Sequence, residues 1–219
     1  MKKLAFLPIM ILLFSFKGDG LKLINHKAFQ SHYNSSYSQS ELVVYSVTKK
    51  RLQGKVSRSI AKFLKDPLEK TSLHTDDYTG SGFDRGHLAP AADMVWDETA
   101  MRECFYTTNI TPQYPGFNRG EWKELEFRVR SEAIERDSLV VYVGVLFKNK
   151  EKVKNLYIPS GFYKIIYDPS KKESIAFLFP HLKQIKKYDS YVSDVKTIEK
   201  MVGREIIKEE KEYNNSKDF

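Results

Sequence analysis

The feature that most limits what this chain can fold into is Leu139–Phe147, LVVYVGVLF, nine residues with no charge and only one glycine. A run this short, β-branched and nearly continuously apolar reads as a central strand, so the chain must build a sheet around it. Further strands are expected at Leu42–Val47, Phe83–Leu88 (short and extended), Phe105–Ile110, Leu156–Ile158, Phe162–Tyr167 and Ile175–Phe179. Asp168-Pro169-Ser170 should turn between two of them. Residues 21–40 are polar and rich in turn formers (Asn34-Ser35-Ser36, Ser38, Ser40) and read as an N-terminal arm. Gln113–Phe117 reads as loop.

One long helix is expected to cover the sheet. Asn118 is a good N-cap, Glu121 follows three residues later as in a capping box, and good helix formers run to Arg136. Trp122, Leu125, Val129 and Ala133 recur at spacings of three and four, which marks one buried face. Glu126 and Arg130 lie next to that face, an unusual place for solvated charges, although a plain i,i+4 ion pair would also account for them. Short helices are expected at Asp97–Arg102 and Val195–Met201. Strands joined mostly as hairpins, with few crossover helices, give an α+β class: a mixed, largely antiparallel central sheet flanked by helices.

The N-terminus, MKKLAFLPIMILLFSFKGDG, has two lysines before the apolar run Leu4–Phe16. That run is short for a membrane span, which needs roughly 20 apolar residues. Residues 1–20 therefore read as a signal peptide, with a retained N-terminal anchor as the alternative because no clear small-x-small cleavage site follows. The expected organisation is one domain over 21–207 and a charged, fraying tail over 208–219, in an exported protein, periplasmic or secreted. Cys104 is the single cysteine, so no intramolecular disulfide can form, and its neighbours Met101, Phe105 and Tyr106 mark it as a buried small hydrophobe. Lys and Arg number 36 against 28 Asp and Glu, a net charge of +8 that favours polyanionic partners without specifying one.

Asp84, Arg85 and His87 stand together in DRGHLAP. A histidine is the usual general base near neutral pH, and an arginine two residues away can grip a phosphate, yet a lone loop histidine is more often structural. A second group follows in TTNITPQ and FNRGEWKELE. Together the three segments resemble the DNA/RNA non-specific endonucleases, the ββα-metal nucleases, in motif order and spacing. The similarity runs at motif level from about Arg58 to Arg130 and more loosely through VVYVGVLF, IPSGFYKIIYD, AFLFPH and IEKMVG.

The resemblance implies roles. His87 would be the general base that activates a water. Asn118 would be the one side chain bound directly to a catalytic Mg²⁺ (Mn²⁺ or another divalent ion being acceptable), with Glu126 holding metal-bound waters. Asn109 would be hydrogen-bonded within the site, and Arg58, Arg85 and Arg130 would bind phosphate or offset charge, Arg58 resting on the weakest match. Asp84 would support the site rather than react. DNA and RNA would be the substrates, cut with little sequence preference to leave 5′-phosphates. Some relatives are dimers, so a homodimer stays open. Two other readings are a catalytically inactive nucleic-acid-binding module of the same fold and a metal-dependent hydrolase of other phosphate esters.

Overall fold

The computed structural model describes residues 20–148, 150–207 and, as backbone, 211–212, so the proposed leader and nearly all of the charged tail lie outside it. In chain order the strands are β1 (Lys22–Asn25), β2 (Phe29–Asn34), β3 (Gln39–Thr48), β4 (Asp84–His87), β5 (Ile110–Gln113), β6 (Ser138–Leu146), β7 (Lys152–Val153), β8 (Leu156–Tyr157), β9 (Gly161–Asp168), β10 (Glu173–Pro180), β11 (Val192–Ser193) and β12 (Lys211–Glu212). The helices are α1 (Lys49–Leu52), α2 (Glu98–Glu103), α3 (Pro115–Arg119), α4 (Glu121–Arg136) and α5 (Val195–Val202). None of the described helices is long and apolar enough to cross a membrane.

The main sheet runs β1-β2-β3-β6-β9-β10-β11 and is antiparallel throughout, with β12 alone pairing in parallel on β10. At its centre, β6 pairs β3 from Leu42↔Gly144 to Thr48↔Ser138 and β9 from Val140↔Tyr167 to Leu146↔Gly161. On one face Val43, Tyr45, Val141, Val143, Phe162, Ile166, Phe177 and Phe179 pack with Trp122, Leu125, Val129 and Ala133 of α4. On the other, Leu42, Tyr142, Tyr163, Ile165 and Ala176 pack with Val195 and Ile198 of α5 and with Ile206 and Ile207. Both faces of β6 are therefore buried, which is why its sequence shows no alternation.

Local expectations failed in four places. Residues 21–40 are not an arm but supply β1, β2 and the start of β3. Their turn formers make only the hairpin turn, where Ser36 N–H donates to Asn34 Oδ1, while Ile24, Phe29 and Tyr33 bury themselves on either side. Phe105–Ile110 is not a strand: a 3-10 turn spans Thr107–Asn109, and pairing begins only at Ile110. Gln113–Phe117 ends β5 and opens α3, because Pro115 has a preset φ and no N–H to lose at the first helical position. Asn118 is not an N-cap; it lies inside α3, and Gly120 starts α4 without a side-chain cap. Glu121, the expected capping-box partner, accepts instead from Tyr188 N–H.

Candidate active site

The site grows from a small second sheet. β4 and β5 pair antiparallel from Asp84↔Gln113 to His87↔Ile110. Alternation along β4 sends Arg85 and His87 to the same side, where both meet Phe63, the guanidinium at 5.6 Å and the imidazole at 5.5 Å between centres. Gly86 thus serves close packing and not a bend between its neighbours: a Cβ there would run into the Gln113 side chain.

His87 is wedged edge-on against Phe105 at 4.7 Å, and its Nε2 is buried with no hydrogen-bond partner among the described residues. Burial, and then the Arg58 charge, push its pKa down to about 3. The ring is neutral at any ordinary pH and free to accept a proton. Arg58 lies exposed across the Phe105 ring, 5.1 Å from its centre, and Arg85 is aimed by donating to Thr75 O (2.9 Å) and Thr79 Oγ1 (3.1 Å).

Asn109 is fully buried and clamps the backbone that leaves His87. Its Oδ1 accepts from Ala89 N–H (2.9 Å), and its Nδ2 donates to Ala89 O (2.9 Å) and Cys104 O (2.7 Å). Cys104 is buried, donates to Met101 O, and has its thiol pKa pushed up by burial to about 12, as expected of a packing residue.

Asn118 is tied to the strand of His87. Its Nδ2 donates to Asp84 Oδ2 at 2.9 Å, and Arg119 grips the same carboxylate with two bonds of 2.8 and 2.6 Å. Burial alone would raise the Asp84 pKa, but the bonds from Arg119 and Asn118, with the Arg119 charge, hold it below its usual value. An ionised carboxylate only accepts hydrogen bonds, so the Asn118 amide nitrogen must face it, and the Asn118 oxygen is left for another ligand.

Glu126 and Arg130 project from the flank of α4 into a buried charged group. Arg130 donates to Asp93 at 3.1 Å, and the Tyr45 hydroxyl also bonds Asp93. Asp93 lies six positions after His87, so the segment that carries the imidazole also anchors Arg130. Lys164 of β9 brings its ammonium to 3.8 Å from Glu126. Burial, helped by Asp93, raises the Glu126 pKa against the pull of Lys164, Arg130 and a Trp122 hydrogen bond.

All seven expected site residues thus fall on the β4–β5 hairpin, the α3–α4 unit and the segments packed on them. Sequence reasoning missed Lys164, Asp93, Tyr45 and the Arg119 grip on Asp84. Only Lys164 left a trace, a cation in the apolar strand FYKII at the same parity as buried Phe162 and Ile166.

This arrangement, a hairpin bearing a neutral histidine followed by α3 bearing an amide and α4 bearing an acid, is that of the ββα-metal class. A sequence model of the DNA/RNA non-specific endonucleases matches residues 10–212, and the chain belongs to that family. Nuclease C1 of Cunninghamella echinulata var. echinulata is 38% identical over 139 residues, covering 56% of this chain and 54% of the relative. Human mitochondrial endonuclease G is 34% identical over 143 residues, covering 57% and 47%. The mitochondrial nuclease of Saccharomyces cerevisiae (strain ATCC 204508 / S288c) is 27% identical over 223 residues, covering 89% and 68%. In the first two the match spans about half of the relative's own length. A crystal structure of an EndoG/EndoGI complex shares the fold, with a TM-score of 0.75, 24% identity and 83% of each chain covered.

Proposed function

We propose that the chain is a divalent-metal-dependent nuclease that hydrolyses phosphodiester bonds of DNA and RNA with little sequence preference. One observation carries this reading: a neutral His87 with an unpartnered Nε2 shares its strand with Asp84, which turns the Asn118 oxygen outward. Among the described residues no three His, Cys, Asp or Glu side chains gather as a metal cage. One amide oxygen with few other protein donors fits a hard ion that keeps most of its waters.

His87 would take the proton of the attacking water; burial and Arg58 keep the ring neutral but weakly basic, and a substrate phosphate beside it would raise that basicity. Asn118 would hold the ion by its oxygen, and Glu126 would hold the waters around it. A divalent ion bound there supplies charge stabilisation at the leaving oxygen. Arg85 over Phe63 and Arg58 over Phe105, rings that both touch His87, would serve as phosphate donors. Arg130 offsets charge next to Glu126. The net charge of +8 draws a polyanion to the protein, so binding should weaken as salt rises. Export, by way of the apolar N-terminal run, belongs to the same proposal.

Supercoiled plasmid and RNA, incubated with Mg²⁺ or Mn²⁺ and with EDTA as control, test the reading. Both substrates should be cut only with the ion, and His87→Ala should lower the rate about 10³-fold. Undiminished cutting by His87→Ala removes the assigned base. Salt-dependent binding without turnover in any divalent ion leaves a binding module.

A further inference from the structure

Lys164 sits at the centre of the main sheet, opposite Val143 of β6 and Phe177 of β10. It is 0% exposed, and its Nζ makes no hydrogen bond among the described residues. The ammonium lies 4.0 Å over the Trp122 ring and 3.8 Å from Glu126 Oε1. Burying an ammonium with unmade hydrogen bonds is unfavourable, and a methionine of similar length would pack on Trp122 without that penalty. Stability therefore gives no reason for a lysine here.

The neighbouring charges supply one. The group holds two acids, Asp93 and Glu126, and two bases, Arg130 and Lys164. Arg130 is taken up by Asp93 at 3.1 Å. The 3.8 Å between Lys164 and Glu126 is too long for a hydrogen bond but short for a charge contact, so the carboxylate is steered while its oxygens stay available to water. The aromatic face under the ammonium keeps the cation in place without occupying it with a competing acceptor.

We propose that Lys164 is a positioning residue for the site: a counter-cation, reaching up from the sheet, that fixes where the Glu126 carboxylate points and leaves its oxygens open to water. The proposal rests on the nuclease reading, in which Glu126 works through water.

The test uses the full chain and compares wild type, Lys164→Met, Glu126→Gln and the double variant. Melting temperature, plasmid cleavage kinetics and calorimetric binding of Mn²⁺ to the metal-free proteins are measured. Lys164→Met should melt at or above the wild-type temperature, lose at least 10-fold in kcat with KM for plasmid unchanged, and bind Mn²⁺ several-fold more weakly. In the double variant it should add no loss beyond that of Glu126→Gln, because it acts through that residue. Wild-type kcat and Mn²⁺ affinity in Lys164→Met would overturn the proposal. So would losses that multiply in the double variant, a lower KM-normalised rate caused by KM alone, or a rate that falls only with the folded fraction. Failure of the wild type to cleave any substrate would sink the nuclease reading instead, and the Mn²⁺ comparison would still decide whether Lys164 acts through Glu126.

Discussion

The two charged flanks of α4 are built from the same residue types and are organised in opposite ways. On one flank Glu132 accepts from Arg128 at 2.7 Å and from Arg136 at 2.8 Å, and Arg136 reaches Asp168 at 3.4 Å. Each contact is a direct ion pair that locks the helix to itself or to the end of β9. On the other flank Glu126 stands 3.8 Å from its cation, and the Lys164 ammonium makes no hydrogen bond among the described residues. Two histidines repeat the contrast. His181 accepts from Tyr114 N–H at Nε2 and donates to Pro159 O from Nδ1, fixing the chain just before α3, whereas His87 Nε2 has nothing. A polar group whose partners are all present serves the fold; one buried without them marks where a substrate, water or ion is to come.

If that lesson holds, mutations on the two flanks separate activity from stability. Glu126→Gln combined with Lys164→Met should reduce plasmid cleavage on the order of 100-fold while the melting temperature stays level or rises, since the buried ammonium leaves together with its carboxylate. Equal losses of both would break the contrast. Glu132→Ala should do the reverse. It removes the carboxylate that Arg128 and Arg136 share, Arg136 keeping Asp168, and should destabilise the protein by about 2 kcal/mol in urea unfolding with the specific activity of the folded fraction intact.

The third contrast is in pH. The folded pKa values of His87 and His181 are depressed, to about 3 and about 4, each by burial first. In the unfolded chain they return to about 6.5, so the stability they confer is complete above that pH and lost as the pH falls toward the folded values. Unfolding free energy should therefore decline on acidification below about pH 6.5. His87→Ala should flatten part of this slope with little change at pH 8, while His181→Ala should also lower stability at pH 8, because two hydrogen bonds vanish. An unchanged slope in both variants would show that carboxylates alone govern the acid limb.

Much of this molecule could be read before folding. LVVYVGVLF announced a central strand, and the spacing of Trp122, Leu125, Val129 and Ala133 gave the buried face of α4, because both patterns express local burial against a core. DRGHLAP, TTNITPQ and FNRGEWKELE pointed to the site for a different reason: their order matched a family. What stayed hidden was pairing across long separations. Nothing near Asn118 says that its partner is Asp84, 34 residues earlier, so the residue read as a cap. Nothing near Glu126 points to Lys164. The N-terminal arm was misread because its strands lie at a sheet edge, where β2 and β3 mix polar side chains such as Gln30 and Ser31 with Phe29 and Tyr33.

Cys104 gives the molecule a built-in clock. The thiol is 0% exposed, and its carbonyl is held by Asn109, whose other bonds fix the residue two positions after His87. A thiol-specific dye can reach it only when this part of the core opens, so the labelling rate counts openings directly beneath the candidate site. With a single cysteine the readout is unambiguous. An ion that binds the closed form must slow the clock by the factor with which it favours that form, which makes metal affinity measurable on a protein that never turns over a substrate.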